Sequence, residues 1–300
     1  MKIVGIHGIA HNYLSAAQIE HAWFPALQGG LENAGYLRVE RTDFSAVFYG
    51  DLFRQSGMRA ANIPKLSAQN IVEEWEKELL CQWWQEAAQL SSLNRSNIDS
   101  LGEDPTIQSP DFQGRGRTPE LVQRALKQLA KSRFFQQMGS SEKFWIFALK
   151  QVYLYLHDLE MKQSILQRVS EKVSIDTQVI IAHSLGSVVA YEALCAHSEW
   201  NVHTLVTCGS PLGIPNLVFD RLVPSPESGV GMWPNVREWF NISDRGDIVA
   251  LQKDLAPYFT NQDGATIVDL LVYNGWESHS AENYLTAKET GTAIATGLFK

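Results

Sequence analysis

The chain predicts an α/β fold: a mostly parallel central sheet flanked by helices and interrupted by a helical insertion. Three stretches predict it. Gln178-Val-Ile-Ile-Ala-His-Ser-Leu-Gly-Ser-Val-Val-Ala190 is an apolar β-type run that enters a tight turn and leaves as a helix-compatible run. Residues Lys2 to Tyr49 read as strand, helix, strand. Between Asp51 and Ile175 no confident strand pattern occurs, which leaves the middle of the chain helical or irregular.

Taken in order, Lys2–Ile6 is an apolar strand followed by a His7-Gly8 loop. A helix is predicted from about Ser15 to Ala34, stopped by Gly35, which supplies the left-handed residue that helix ends favour. Arg38–Tyr49, enriched in Val, Phe and Tyr, is the next strand. Laid parallel to the first, its end at Tyr49-Gly50-Asp51 shares an edge with the His7-Gly8 loop. Residues 51–143 form the insertion, broken by the polar segment Ser91–Thr118. Phe144–Lys172 has the length and periodicity of a helix that returns the chain to the strand at Gln178. A turn at Cys208-Gly-Ser-Pro-Leu212 and a Gly-, Pro- and Ser-rich loop from Gly213 to Asn235 follow; that loop is expected to shape a pocket. A strand beginning near Trp239 ends in a turn with Asp244 and Asp247, and His279 follows the strand-like run Thr266–Tyr273.

At 300 residues and 45% hydrophobic, the chain can bury one large core, so residues 1–300 are read as a single domain carrying its insertion. A formal charge of -8 argues against a nucleic-acid footprint. Cys81, Cys195 and Cys208 are few, far apart and odd in number. They form neither a disulfide framework nor a metal-ligand pattern, and a reducing compartment is expected. With no signal-peptide pattern at the start and no apolar run of membrane-spanning length, the expectation is a cytoplasmic protein without a transmembrane segment.

The chemistry is concentrated at Ala182-His183-Ser184-Leu185-Gly186. A serine at the tip of a strand-to-helix turn needs small neighbours that do not collide with strand and helix, and Ala182 and Gly186 are small. The turn also puts the Leu185 backbone N–H at a helix start, where it can donate to a developing oxyanion. A serine hydroxyl is a weak nucleophile until a base takes its proton and an acid orients that base. Asp247 and His279 lie downstream, giving the order Ser184, Asp247, His279, each just past a strand-like run.

With these residues on the page, the chain resembles the α/β-hydrolase superfamily of the serine esterase and lipase type, over nearly its whole length. Lys2-Ile-Val-Gly-Ile-His-Gly-Ile-Ala10 resembles the strand and His-Gly loop that gives lipases a second oxyanion donor. The resemblance assigns that donor to the Ile9 backbone N–H, with Ala10 as the alternative. Cys208–Leu212 resembles the turn after the next strand, Asp247-Ile-Val-Ala250 the acid loop, and His279 with Tyr284 the histidine loop. The family implies a serine hydrolase that cleaves carboxylic esters, acyl lipids included, through an acyl-enzyme on Ser184. Neither a metal nor an organic cofactor is implied. His11 and Leu212 are the expected substrate contacts. The same machinery serves thioesterases, amidases and acyltransferases, and a non-catalytic binding protein acting within a larger assembly is the reading from another class.

Competing residues are weighed on the same grounds. His183 must point away from the Ser184 side chain and is read as structural; His7 is read as a brace of its own loop. His21, His157, His197 and His203 fall away from the expected site. Asp244 remains an alternative acid, more simply a turn cap; Asp263 and Asp269 read as turn or strand-end residues, and Glu277 would have to fold back along its own loop. The insertion's Trp75, Trp83, Trp84, Phe134, Phe135, Phe144, Trp145 and Phe147 could present an acyl-binding or membrane-touching surface, leaving a peripheral membrane contact open, or could simply be core. Gly114-Arg-Gly-Arg117 could bind an anion or be a solvated loop.

Overall fold

The computed structural model describes residues 2–54, 66–97, 107–110, 118–131, 142–260 and 265–299. They divide into two compact units, one made of Met1–Arg54 with Tyr155–Lys300, the other of Gln55–Leu154.

The first unit holds an open, all-parallel sheet of six strands: β1 (Ile3–Ile6), β2 (Phe44–Val47), β3 (Val179–His183), β4 (Thr204–Cys208), β5 (Glu238–Asp244) and β6 (Val268–Val272), in the order β2-β1-β3-β4-β5-β6. Strand order runs one way from β1 to β2 and the other way from β1 to β3, so a crevice opens at the C-terminal ends of β1 and β3. Ile6 pairs in register with Ala182, and this places His7-Gly8 beside His183-Ser184.

Strands β1 to β4 are buried throughout, which is why β1 and β3 read as continuous apolar runs and not as alternating ones. One face packs Ile3, Val179, Ile181, Val206 and Ile242 against α1 (Ala16–Asn33) and, later in the chain, the C-terminal pair Ala281–Thr286 and Lys288–Phe299. Against β1 and β3 lies the helix Leu185–Ala196, and against that helix lies Leu159–Ser170. The last two are joined by a buried network: Lys162 Nζ donates to Glu192 at 2.8 Å and Tyr155 donates its hydroxyl to the same carboxylate at 2.6 Å. This fixes the helix that begins directly after Ser184.

Two expectations are corrected. The strand predicted over Arg38–Tyr49 pairs only at Phe44–Val47. Arg41–Asp43 close a 3-10 turn, and the Gln28 side chain takes both backbone groups of Val39, so no neighbouring strand is needed there. The single return helix over Phe144–Lys172 is two helices, α4 (Glu142–His157) and α5 (Leu159–Ser170), which leaves His157 at a helix end. At the break, the Asp158 backbone leaves the helical conformation and its carboxylate accepts the Met161 N–H at 3.0 Å, capping α5. The helix α1 matches its predicted start and stop: Ser15 caps it, and Gly35, at φ 81°, ends it with its N–H on Glu32 and the Tyr36 N–H on Leu31.

Within the second unit, α2 (Glu74–Asn97) packs on α3 (Pro119–Leu129). Trp75, Trp83, Trp84 and Trp145 are buried, with Phe144 and Phe147 half-buried, and Trp83 meets Trp145 edge-on at 5.4 Å. The described aromatics of the insertion therefore behave as core. Phe134, Phe135 and Gly114–Arg117 lie outside the described residues.

Because Asp158 is exposed and acts through its cap alone, Asp158→Ala is expected to lower the unfolding free energy by about 1 kcal/mol, read from chemical denaturation, with the fold unchanged.

Candidate functional site

The helix that follows β3, α6 (Leu185–Ala196), starts without a conventional cap, because Ser184 stands at φ 55° and ψ -130°. For a residue with a Cβ this conformation costs on the order of 1–3 kcal/mol and persists only where the surroundings over-determine it. They do so here. The Ser184 N–H donates to the Cys208 carbonyl at 3.0 Å, and the Ser184 carbonyl accepts from the Ser187 N–H and from Ser187 Oγ at 2.9 and 2.6 Å. Ser187 Oγ in turn shares a 2.7 Å hydrogen bond with Ser210 Oγ. A Cβ on Gly186 would sit 2.3 Å from the Ile6 carbonyl oxygen, so the helix crosses β1 as closely as only glycine permits.

His279, between β6 and α7 (Ala281–Thr286), reaches Ser184: its Nε2 lies 3.0 Å from Ser184 Oγ. Its Nδ1–H donates to Asp247 Oδ2 at 2.7 Å. A carboxylate only accepts, so this bond fixes the proton on Nδ1 and leaves Nε2 as the acceptor facing the serine. Asp247 is fully buried, as are Ser184 and His279. Its other oxygen, Oδ1, accepts the N–H groups of Val249 and Ala250 at 2.9 and 3.3 Å, and Tyr284 donates its hydroxyl to Oδ2 at 2.8 Å. Burial alone would push this carboxyl up. His279, together with Lys253 and the Tyr284 hydroxyl, outweighs that and lowers it to about 2, so Asp247 stays ionised.

Asp244 does what a turn cap does: Oδ1 accepts the Gly246 N–H, Oδ2 the Asn274 N–H. Asp269 accepts from Asn241, Leu255 and Ala256 and thus ties β6 to its neighbours; Glu277 is exposed, and Asp263 lies outside the described residues. Of the candidate acids with described positions, Asp247 is the one hydrogen-bonded to His279.

The loop after β1 runs past the serine. A Cβ on Gly8 would lie 2.6 Å from Ser184 Cβ and 3.1 Å from Oγ, which brings the chain leading to Ile9 alongside the hydroxyl. His7 braces this loop: Nδ1–H donates to the Gly8 carbonyl at 2.7 Å, Nε2 accepts the Tyr49 N–H at 3.3 Å, and the Tyr49 hydroxyl donates to the His7 carbonyl. Ala10 has a positive φ of 67°, and His11, half-buried, donates Nδ1–H to the Ile9 carbonyl at 2.7 Å with its ring 4.8 Å from that of His7. Leu185 is the first residue of α6. Leu212 is fully buried, its N–H on Ser210 Oγ at 3.2 Å.

The arrangement depends on two contacts that sequence reasoning missed. His183 points away from Ser184, as its position requires, but its Nε2–H donates to the backbone carbonyl of His279 at 2.9 Å and so holds the histidine loop from behind. Gly209, at φ 56°, sits where a Cβ would lie 2.7 Å from Asp247 Oδ2 and 3.0 Å from His279 Nδ1; the Cys-Gly-Ser-Pro turn carries a glycine because the Asp247–His279 pair occupies that space. A glycine after a strand was the one available signal for the second contact. For the first there was none, since 96 positions separate the partners.

An ionised carboxylate, an imidazole of fixed tautomer and a hydroxyl in a strained turn make one buried hydrogen-bonded chain able to move a proton off the serine as it attacks an electrophile. Among the described residues, no group of three or more His, Cys, Asp or Glu could hold a metal ion, and no helix is long and apolar enough to cross a membrane. The chain matches no family model, no curated protein and no solved structure.

Burial lowers the pKa of His7 and of His183 well below the ordinary histidine value, with His11 adding to the effect on the first and His279 on the second. Below about pH 6.5 the unfolded chain binds protons at these two positions that the folded chain refuses, so folding stability is full above that pH and falls as pH drops through it. Each contributes a slope of about 1.4 kcal/mol per pH unit once pH is well below 6.5. Denaturation curves taken from about pH 7.5 down to about pH 5 should show the fall, and His183→Gln should reduce its slope by about one histidine's share.

Proposed function

We propose that the chain is a serine hydrolase that cleaves carboxylic esters through an acyl-enzyme on Ser184. The observation that carries this reading is the continuous hydrogen-bonded chain Ser184 Oγ, His279, Asp247, starting from a serine held at positive φ where strand order reverses. In this reading Ser184 Oγ attacks the acyl carbonyl carbon while His279 Nε2 takes its proton. Asp247 stabilises the imidazolium and is not itself protonated. The carbonyl oxygen becomes an oxyanion facing the backbone N–H groups of Leu185 and Ile9, and each such donor is worth about 3 kcal/mol of barrier. His279 then protonates the leaving alkoxide, the tetrahedral intermediate collapses to the acyl-enzyme, and water attacks with His279 again as base. One ester bond breaks and one water is consumed.

His11 stands two residues after Ile9, and Leu212 is tied to the serine turn through Ser210, which accepts its N–H and bonds Ser187; these two are the proposed substrate contacts, His11 at the more open position. The substrate is a small-molecule or lipid acyl ester. The fold gives no reason to prefer an ester over a thioester; an amide asks more of a single activated serine, because its amine must be protonated before it can leave.

Hydrolysis of p-nitrophenyl esters from short to long acyl chains tests this. Ser184→Ala should lower kcat by at least about 10³-fold, and Asp247→Asn, which favours the wrong histidine tautomer, by on the order of 10⁴-fold, both with circular dichroism unchanged. Wild-type levels of turnover in folded Ser184→Ala protein would refute the assignment.

A further inference from the structure

Asp247 Oδ2 accepts two hydrogen bonds, and the second comes from a residue with no part in the chemistry above. Tyr284 lies one turn into α7, five positions after His279, with its ring fully buried. Its oxygen accepts the Asp244 backbone N–H at 2.8 Å and lies 2.8 Å from Asp247 Oδ2. Because an amide N–H can only donate and a carboxylate can only accept, the direction of both bonds is fixed: the single phenolic proton goes to Asp247. Burial first, and then the charge of Asp247, raise the phenol's pKa well above its ordinary value, so it is a donor at neutral pH.

We propose that Tyr284 is a positioning residue of this site: its hydroxyl, aimed by the Asp244 N–H, pins Asp247 Oδ2 and tempers how strongly that carboxylate holds the His279 Nδ1–H. The proposal rests on the reading of Ser184 as nucleophile. One short segment supplies both donors to Oδ2, since His279 and Tyr284 flank the Ser280 cap of α7, and Tyr284 is itself anchored by Thr290 Oγ1 on its carbonyl at 2.6 Å. The Asp247 carboxylate is thus fixed at both oxygens, Oδ1 by its own chain and Oδ2 by the histidine segment. Sharing Oδ2 draws negative charge towards the phenol and leaves less to stabilise the imidazolium. The other titratable or charged groups facing the pair are His183 on β3 with His11 beyond it, Asp244 at the end of β5, and Lys253, whose ammonium donates to the Asp247 backbone carbonyl.

The test is the rate at which a fluorophosphonate labels Ser184, measured by intact mass across pH, in wild type, Tyr284→Phe and Tyr284→3,5-difluorotyrosine. Phe keeps the ring and deletes the donor. Labelling should slow by on the order of tenfold, the scale of one hydrogen bond to a charged group, and the acid limb of the profile should move about half a pH unit upward, because an unshared carboxylate favours protonated histidine. Difluorotyrosine, a stronger donor of nearly the same size, should move the limb downward and remains informative if the Phe variant does not fold. Limbs that stay fixed in both variants, or that move in the same direction, overturn the proposal; so does a folded Phe variant with the wild-type profile. Failure of wild type to label at Ser184 would instead refute the underlying reading, and the Tyr284 proposal with it.

Discussion

The site depends on one buried hydrogen bond, from His279 Nδ1 to Asp247 at 2.7 Å. A carboxylate buried without partners would cost several kcal/mol and would take up a proton to escape the cost. Asp247 avoids this by accepting at both oxygens from groups in three different settings: its own following turn, the histidine loop and the helix after it. Once it is held as an anion, the histidine tautomer is determined, and the lone pair left on Nε2 faces Ser184 at 3.0 Å. The Gly209 gap, the Cys208 carbonyl that holds the Ser184 N–H and the His183 bond to the His279 backbone all accommodate or brace that arrangement.

The sheet makes this possible by bringing distant segments to one edge. All six strands point the same way, so the turns carrying Gly8, Ser184, Gly209, Asp247 and the His279 loop emerge at their C-terminal ends. The reversal of strand order between β1 and β3 leaves room there, and the Lys162–Glu192–Tyr155 network holds the helix behind the serine in place. Strain at Ser184 is thereby supported from a region remote from the hydroxyl, since such a conformation persists only where a stable frame over-determines it.

What could be read from the residues alone is what local chemistry dictates. The strand-turn-helix at Ser184, the Ser15 and Gly35 limits of α1 and the chain order of serine, acid and histidine all follow from short-range patterns, and the described residues show those elements and that proximity. Asp247 is preferred to Asp244 through the resemblance of Asp247-Ile-Val-Ala250 to an acid loop and through its place just beyond the strand; the N–H groups of Val249 and Ala250 bind its Oδ1. Local patterns failed where a side chain competes with backbone pairing. Gln28 replaces a strand neighbour at Val39, and Asp158 interrupts what its apolar periodicity makes look like one helix. Aromatic stripes in the insertion carried no sign of whether they face inward; the described tryptophans are core. The bonds of His183 and Tyr284 join positions that only the sheet order brings together.

The most direct measurement is to react the protein with an excess of an activated ester and stop it with acid within the first turnovers, then locate any acyl group by peptide mass spectrometry. A single acyl adduct on Ser184 is expected in wild type, and none in His279→Ala, where the proposed base is missing. An adduct on another residue, or one that forms equally well without His279, would contradict it.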